Sequence, residues 1–169
     1  MKRILAFSDF SLDSVNEAST ETPLDTTKLE SGLEIIKGLV TRGFTPKTAA
    51  AIAGNMWQES KFNPQVTPKT ATYIGLIQWG GPRKGKLLQK TGWEKLDTQL
   101  DFVKHEFDTI PVFKNILPSI ENIDVKQAAS KIAKSYEGAA PNTARLNAAK
   151  QLLDAYEADP NAASAEPIK

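Results

Sequence analysis

The sequence contains no cysteine among its 169 residues, which excludes disulfide bonds and thiolate metal sites. Its single histidine, His105, lies beside acidic residues on a predicted exposed face. No cluster of metal ligands can be assembled around it, so we expect no metal and no cofactor. The chain also lacks an excess of charge of either sign. A net charge of +1 gives no electrostatic argument for a nucleic-acid partner or an anionic membrane.

Long hydrophobic runs are also missing. No segment approaches the length that a transmembrane helix needs. The first ten residues begin like a signal peptide, but their apolar stretch from Ile4 to Phe7 stops at Ser8 and Asp9. This stretch is shorter than the apolar region of a secretory signal. We therefore expect a soluble protein without a standard N-terminal signal peptide.

The composition that remains is typical of one globular domain, with 40% apolar and 24% charged residues. Residues 1–25 are rich in Ser, Thr, Glu and Asp and show no sustained periodicity, which predicts a flexible N-terminal arm. Residues 159–169 are rich in Ala, Pro and Asn and predict a flexible tail. The domain itself is expected to span residues 26–158.

Most of that domain has the apolar spacing of amphipathic helices. Thr26 or Thr27 is a candidate N-cap for a first helix that stops at Gly43, and Thr45-Pro46 opens a second helix. Further helices follow from apolar stripes, from caps and, more weakly, from local composition; they lie near residues 84–90, 96–107, 112–117, 124–136 and 141–156.

The segment from residue 65 to residue 81 has a different character. It is rich in threonine, isoleucine and aromatic residues, which favour extended structure, and Pro68, Gly75 and Gly80 interrupt it. A small antiparallel β element is expected here. The predicted fold class is therefore α+β, predominantly α-helical, with a small antiparallel β element after the second helix.

One acid stands out in the second helix. Ile52 and Glu59 are seven residues apart, so about 700° of helical rotation brings them to within roughly 20° of each other. Met56 lies on the same side. Glu59 therefore points along the face that the helix uses for packing, where loss of hydration favours a protonated carboxyl group. A carboxylic acid that is neutral near pH 7 is suited to general acid catalysis.

The residues after Glu59 are suited to one wall of a cleft. Gly75 allows a close approach to the backbone, and Gln78 offers a donor and an acceptor to a polar, uncharged ligand. Tyr73, Trp57 and Trp79 are candidates for stacking on sugar rings. Packing in the core is the alternative interpretation for the two tryptophans.

Four segments together carry a family resemblance. Glu-Ser-x-Phe-Asn-Pro at residues 59–64 and Gly-Leu-Ile-Gln-Trp at residues 75–79 resemble the catalytic segment of the goose-type lysozyme and lytic transglycosylase superfamily. The lysozyme domains of bacteriophage tails are the most similar members. The helix at residues 99–106 and the turn at residues 135–141, followed by Arg145, add to the resemblance. It covers roughly residues 30 to 157, and one departure is Thr72-Tyr73-Ile74 in place of a glycine-alanine lead-in.

The resemblance implies a lysozyme-like fold and cleavage of the β-1,4 bond between N-acetylmuramic acid and N-acetylglucosamine in peptidoglycan. It implies that Glu59 is the acid that protonates the leaving oxygen. Supporting or substrate-binding residues are carried over by motif position, and with the stacking candidates they are Ser60, Tyr73, Gln78, Trp79, Gln99 and Tyr136.

The sequence leaves the second carboxylate open. Glu106 is seven residues from Gln99 and shares one edge of its helix, while Glu137 follows a helix end, where it is either a catalytic group or a solvated acid. Many members of the superfamily use a single glutamate. In that case the product would be a 1,6-anhydro sugar and not a hydrolysed reducing end.

Two alternative functions were weighed against this one. A non-catalytic virion or wall-binding module on the same scaffold would bind peptidoglycan without cleaving it. A nucleotide-binding protein is suggested only by the Gly-x4-Gly-Lys match at residues 80–86, where Leu87 replaces the required Ser or Thr. The basic residues Arg83, Lys84 and Lys86 are better explained as a solvated helix start or an anion contact.

The expected partner is the glycan strand of peptidoglycan. A phage lysis enzyme would act from the host cytoplasm on the cell wall as a monomer, whereas a virion component would reside in the tail. In the second case residues 1–25 are the natural segment for contacting other virion proteins.

Overall fold

The computed structural model describes residues 23–67, 72–159 and 161. Most of the predicted arm and tail, namely residues 1–22, 160 and 162–169, lie outside the described residues. The described residues are predominantly helical, as predicted. Their helices are α1 Thr26–Thr41, α2 Pro46–Ser60, α3 Gly81–Leu88, α4 Leu96–Thr109, α5 Pro111–Lys114, α6 Ile116–Ile120, α7 Val125–Ile132 and α8 Thr143–Ala158, with a π-helical turn Ala133–Glu137 directly after α7.

The predicted β element is not confirmed, because the described residues contain no strand. A single antiparallel bridge joins Ile74 and Trp79, whose backbone groups exchange hydrogen bonds of 3.0 and 2.9 Å. The four residues between them form a tight turn in which Gln78 has a φ of 53°. A pair this short closes a turn without extending into a ladder.

The helix starts follow local chemistry. Asp25, one residue before the predicted Thr26 or Thr27, caps α1 by accepting a hydrogen bond from the Lys28 amide. Thr45 caps α2 and Pro46 occupies its first turn, as predicted. Lys61, in the left-handed conformation with a φ of 54°, ends α2 before Asn63 and Pro64.

Helix α2 is the centre of the domain. Its residues from Ala49 to Ala53 are completely buried, and Met56 is buried beside them. Small side chains allow neighbouring helices to approach closely on several sides. The hydrophobic core therefore forms around α2, and only the two ends of this helix reach the surface; the C-terminal end carries Glu59.

The closest of these approaches is between α2 and α8. A Cβ atom added at Gly54 would lie 2.5 Å from the backbone oxygen of Arg145 and 2.7 Å from the amide nitrogen of Ala149. Only glycine permits this backbone contact. The contact brings the first turn of α8 alongside the second half of α2, which leads to Glu59.

The predicted helix over residues 124–136 is present, but it changes from α-helical to π-helical near its C-terminus. Asp124 caps α7 with a capping box, and the turn Ala133–Glu137 is π-helical. Gly138 ends it in the left-handed conformation with a φ of 67°. Wider turns of this kind often occur at functional sites because they reorient a side chain. Here the last residue of the turn is Glu137.

Candidate functional site

A pocket of about 320 Å³ opens at the end of α2. Its volume lies within the range of small-ligand clefts, about 300–1,000 Å³. Three elements of the fold meet there: the last turn of α2, the bridged turn after it, and the π-helical turn. The lining residues are Glu59, Tyr73, Ile77, Gln78, Glu137 and Ala139.

Glu59 lies on the α2 wall of the pocket. Its side chain is 24% exposed, and its Oε1 accepts a hydrogen bond of 3.0 Å from Nη2 of Arg145. The helical spacing predicts that Glu59 lies on the packing face, where desolvation favours its protonated form. The structure instead places it at the edge of the packed face, open to the pocket and beside a cation.

Glu137 lies near Glu59, on the π-helical turn. Its side chain is 2% exposed, and its Oε2 accepts a hydrogen bond of 2.7 Å from Nη1 of Arg145. Burial and, to a smaller extent, the negative charge of Glu59 together raise the pKa of Glu137 to about 8, against the opposing effect of Arg145. The environment of Glu137 therefore favours its neutral form at pH 7.

Arg145 joins the two acids. Besides Glu59 and Glu137, it donates a 2.7 Å hydrogen bond to Oδ1 of Asn55, which is completely buried. The amide of Asn55 in turn donates to the backbone oxygens of Ala51 and Ala129. The guanidinium is thus fixed between α2 and α8 and holds both carboxyl groups at one end of the pocket.

Sequence analysis assigned no role to either Asn55 or Arg145. Asn55 is four residues before Glu59, so the two lie on the same side of α2. This spacing is the sequence feature that links Asn55 to the candidate acid. Arg145 lies in the first turn of α8, where a cation opposes the helix dipole. A cation in that position is explained by nearby carboxylates, but the sequence does not show that the carboxylates are near.

The opposite wall carries two of the six predicted ligand contacts, Tyr73 and Gln78. Gln78 lines the pocket, and its Nε2 donates a 2.8 Å hydrogen bond to the backbone oxygen of Gly75, which engages the amide nitrogen within the turn itself. Tyr73 is 51% exposed and lies across Gly80, where an added Cβ would meet its ring at 2.6 Å. An exposed, supported aromatic ring at a pocket is suited to stacking on a sugar.

Ser60 does not line the pocket. It is buried, and its hydroxyl donates a 3.1 Å hydrogen bond to the backbone oxygen of Met56 within α2. The structure therefore gives Ser60 a supporting position at the end of the helix and not a substrate contact.

A second buried polar cluster accounts for three more of the predicted site residues. Glu106 is 2% exposed, and its carboxylate accepts hydrogen bonds from Trp79 at 2.9 Å, Tyr136 at 2.6 Å and Arg83 at 2.7 Å. Burial raises the pKa of Tyr136 well above its ordinary value, and the charge of Glu106 adds to the effect, so the hydroxyl remains a donor.

This cluster corrects several expectations. Glu106, Trp79 and Tyr136 belong to the core and have no surface at the pocket to offer a sugar ring or a reacting bond. Arg83, expected in a solvated helix start, is instead drawn inward by the buried carboxylate, and its guanidinium lies 4.5 Å from the centre of the Tyr136 ring. The cluster ties α3, α4 and the π-helical turn together behind the pocket.

Gln99 is also completely buried. Its Oε1 accepts a 2.8 Å hydrogen bond from the Leu76 amide, and its Nε2 donates to the backbone oxygens of Pro64 and Trp93. A side chain with all these partners holds the bridged turn in place. Gln99 supports the pocket wall that carries Gln78 and makes no contact with the pocket itself.

Within residues 23–67, 72–159 and 161, no group of His, Asp or Glu side chains is arranged to hold a metal ion. His105 is exposed and stacks on Phe102. None of the helices in the described part of the chain is both long enough and apolar enough to cross a membrane.

The chain was compared with known proteins. The family model described as Phage tail lysozyme matches residues 31–156. No curated protein and no solved structure matches the chain. The matched range includes both walls of the pocket, the buried cluster around Glu106, and Arg145.

Proposed function

Since this chain belongs to the phage tail lysozyme family, we propose that it is a muramidase in which Glu59 is the general acid. Its substrate would be the glycan strand of peptidoglycan, cleaved at the β-1,4 bond between N-acetylmuramic acid and N-acetylglucosamine. Most support comes from the position of Glu59, which is a partly exposed carboxyl group within a pocket that has polar and aromatic walls.

The chemistry follows from the two walls. A sugar ring stacked on Tyr73 and hydrogen-bonded to Gln78 would lie between the bridged turn and Glu59. Glu59 then protonates the glycosidic oxygen as the bond to the anomeric carbon breaks, and positive charge develops on the ring. A carboxylate near that carbon stabilises this charge.

Glu137 is the proposed second carboxyl group. It lines the same pocket as Glu59 and is held by the same guanidinium, whereas Glu106 is enclosed in the core. Whether the attacking nucleophile is water or the C6 hydroxyl of the sugar distinguishes hydrolysis from formation of a 1,6-anhydro product. Both routes need the same acid.

The activity test is Glu59→Gln assayed on purified peptidoglycan, with muropeptides identified by mass spectrometry. We expect release to fall by about 100-fold or more, because general acid catalysis contributes about 10²–10⁴-fold. Glu34→Gln is the matched control, since Glu34 is an exposed acid on α1 away from the pocket. Release by Glu59→Gln at the wild-type rate, with an unchanged circular dichroism spectrum, would contradict the assignment.

The same assay distinguishes the binding-module alternative. A wild-type protein that sediments with peptidoglycan yet releases no muropeptides would be a wall-binding module and not an enzyme. The masses of the products also separate a hydrolysed reducing end from an anhydro end. Residues 1–25 remain the proposed segment for contacts with virion proteins if the protein is part of the phage tail.

A further inference from the structure

The ionic group at the pocket has an unbalanced charge. Glu59 and Glu137 are both within hydrogen-bond distance of one guanidinium, that of Arg145, whose side chain is 4% exposed. If both acids were ionised, this largely buried group would carry one excess negative charge. Excess charge of this kind is strongly unfavourable away from water, and a carboxyl pair relieves it by retaining a proton.

The hydrogen bonds show where that proton resides. Both η nitrogens of Arg145 donate to carboxylate oxygens, leaving Oε1 of Glu137 buried and without a partner among the described residues. A buried ionised oxygen without a donor is costly, and protonation removes the buried charge. The raised pKa of Glu137, about 8, agrees with this position.

The charged surroundings of Glu137 come from three elements. Glu59 on α2 opposes its ionisation, while Arg145 on α8 and the more distant Arg83 on α3 favour it. Lys61 lies just beyond Glu59, where its pKa is lowered by burial and raised by the Glu59 charge. Among these groups, only Arg145 is hydrogen-bonded to both acids.

The geometry points to a shared acid: Glu59 and Glu137 hold one proton between them, and Arg145 is the positioning residue that couples them. This inference rests on the proposed function and deepens it. The proton resides mainly on Glu137 in the free protein. Before the step, Glu59, which is the more exposed of the two, takes up a proton from solvent while Glu137 loses its own, so the pair still holds one proton. The two carboxyl groups then titrate as a pair and not as separate sites.

The proton balance of the step is simple. The pair gives its single proton to the glycosidic oxygen, which takes the electron pair of the breaking bond to the anomeric carbon. Two carboxylates and one guanidinium then remain. The nucleophile that attacks the anomeric carbon, a water or the C6 hydroxyl, releases one proton as its new bond forms. That proton restores the pair, and nothing is oxidised or reduced.

The first test does not use activity. Carbon-detected NMR of the glutamate side-chain carboxyl groups gives the titration of Glu137 in the wild type and in Glu59→Gln. We expect the pKa of Glu137 to fall by about one unit or more in the variant, because the opposing charge of Glu59 is gone while burial remains. An unchanged titration would overturn the coupling.

The second test is the pH profile of muropeptide release by Glu137→Gln, which mimics the neutral form of Glu137. Glu59 alone then faces the uncompensated charge of Arg145, so the alkaline limb of the profile should move to lower pH by about one unit or more. An unmoved limb would overturn the inference. Because Glu137 is also the proposed second carboxyl group, the rate of this variant falls at every pH. The position of the alkaline limb is therefore the diagnostic quantity, and the NMR titration decides if too little release remains to locate it.

The two proposals fail in different ways. Glu59→Gln that still releases muropeptides would contradict the proposed function, whatever the NMR titration shows. Glu59→Gln that is inactive while Glu137 titrates independently would leave the proposed function intact and remove only the shared proton. Glu34→Gln serves as the control in both experiments, since it removes an acid on α1 that does not line the pocket.

Discussion

At the scale of single residues, the two buried carboxyl groups differ in how their burial is offset. Glu106 receives hydrogen bonds from Arg83, Trp79 and Tyr136, so both of its oxygens have partners. Glu137 has Arg145 on one oxygen and no partner on the other among the described residues. A fully satisfied carboxylate holds structure together, whereas a half-satisfied one facing a pocket is suited to proton transfer.

Glu106→Gln should therefore destabilise the protein. The substitution removes the negative charge that forms an ion pair with Arg83. It also replaces one acceptor oxygen by an NH2 group, so that one of the donors Arg83, Trp79 and Tyr136 loses its acceptor. We expect a loss of about 3–5 kcal/mol in the free energy of unfolding, as for breaking a buried pair. Urea denaturation followed by tryptophan fluorescence measures it; a loss below about 1 kcal/mol would contradict the assigned role.

Glu137 should make the stability of the protein depend on pH. Its pKa rises from 4.5 in the unfolded chain to about 8 in the folded one, so between these values the unfolded state binds fewer protons and stability falls as pH rises. Glu137→Gln removes this loss. Relative to the wild type, the variant should gain stability from pH 4 to pH 8, reaching about 2–4 kcal/mol.

Urea denaturation of both proteins across this pH range is the measurement. The difference in the free energy of unfolding, and not the absolute stability of either protein, isolates the contribution of Glu137. A constant difference from pH 4 to pH 8 would show that Glu137 ionises normally.

At the scale of helices, the site depends on how closely α2 and α8 approach. Gly54 follows Ala50 and Ala51 in α2 and precedes the end of the helix, which carries Glu59. Because Gly54 has no side chain, the backbone of α8 can contact it directly. Arg145 is on the contacting turn of α8. The distance between the helices therefore sets whether one guanidinium can hold both Glu59 and Glu137.

Gly54→Ala tests this dependence. The new Cβ would lie 2.5–2.7 Å from backbone and Cβ atoms of α8, which cannot move aside as the end of a flexible side chain does. We expect a loss of about 1–3 kcal/mol in the free energy of unfolding, as in overpacked cores, together with reduced muropeptide release.

Gly85→Ala is the matched control. Gly85 lies within helix α3 and an added Cβ meets nothing within 4 Å, so the variant should be unchanged or more stable by up to about 1 kcal/mol. Thermal unfolding of the two variants side by side makes the comparison. Equal stability of both variants would show that α2 and α8 tolerate a wider spacing.

At the scale of the whole molecule, the residues at both ends of the described domain contact its helices. Leu24 packs against the core, and its amide donates a 2.8 Å hydrogen bond to Gln151 on α8. Near the other end, Asp159 forms a 2.8 Å ion pair with Lys37 on α1. Both ends of the described domain are thus attached to helices α1 and α8.

A variant lacking residues 1–22 should accordingly fold and unfold like the full chain. Residues 23–159 contain the whole of the described core, so we expect a midpoint of thermal unfolding within about 2 °C of the full-length value and unchanged muropeptide release. Calorimetry on both forms is the measurement. A clearly lower midpoint would show that the predicted arm contributes to the stability of the domain.

The sequence predicted most of the helices and singled out Glu59 as the candidate acid. Periodicity and capping residues placed α1, α2, α4 and α7 because these signals are local, and the motif around Glu59 was readable for the same reason. The predicted β element was not confirmed, since a few β-favouring side chains do not fix how far a pairing extends beyond one bridge.

Only the tertiary structure decided which polar residues share a site. Glu106, Gln99 and Tyr136 matched the expected motifs as well as Glu137 did, yet they are buried in the core, where they support the pocket. Glu59, Asn55, Glu137 and Arg145 are up to 90 residues apart in the chain and meet at one guanidinium. Hydrogen-bond partners so distant in sequence leave no local pattern, because the packing of α2 against α8 brings them together.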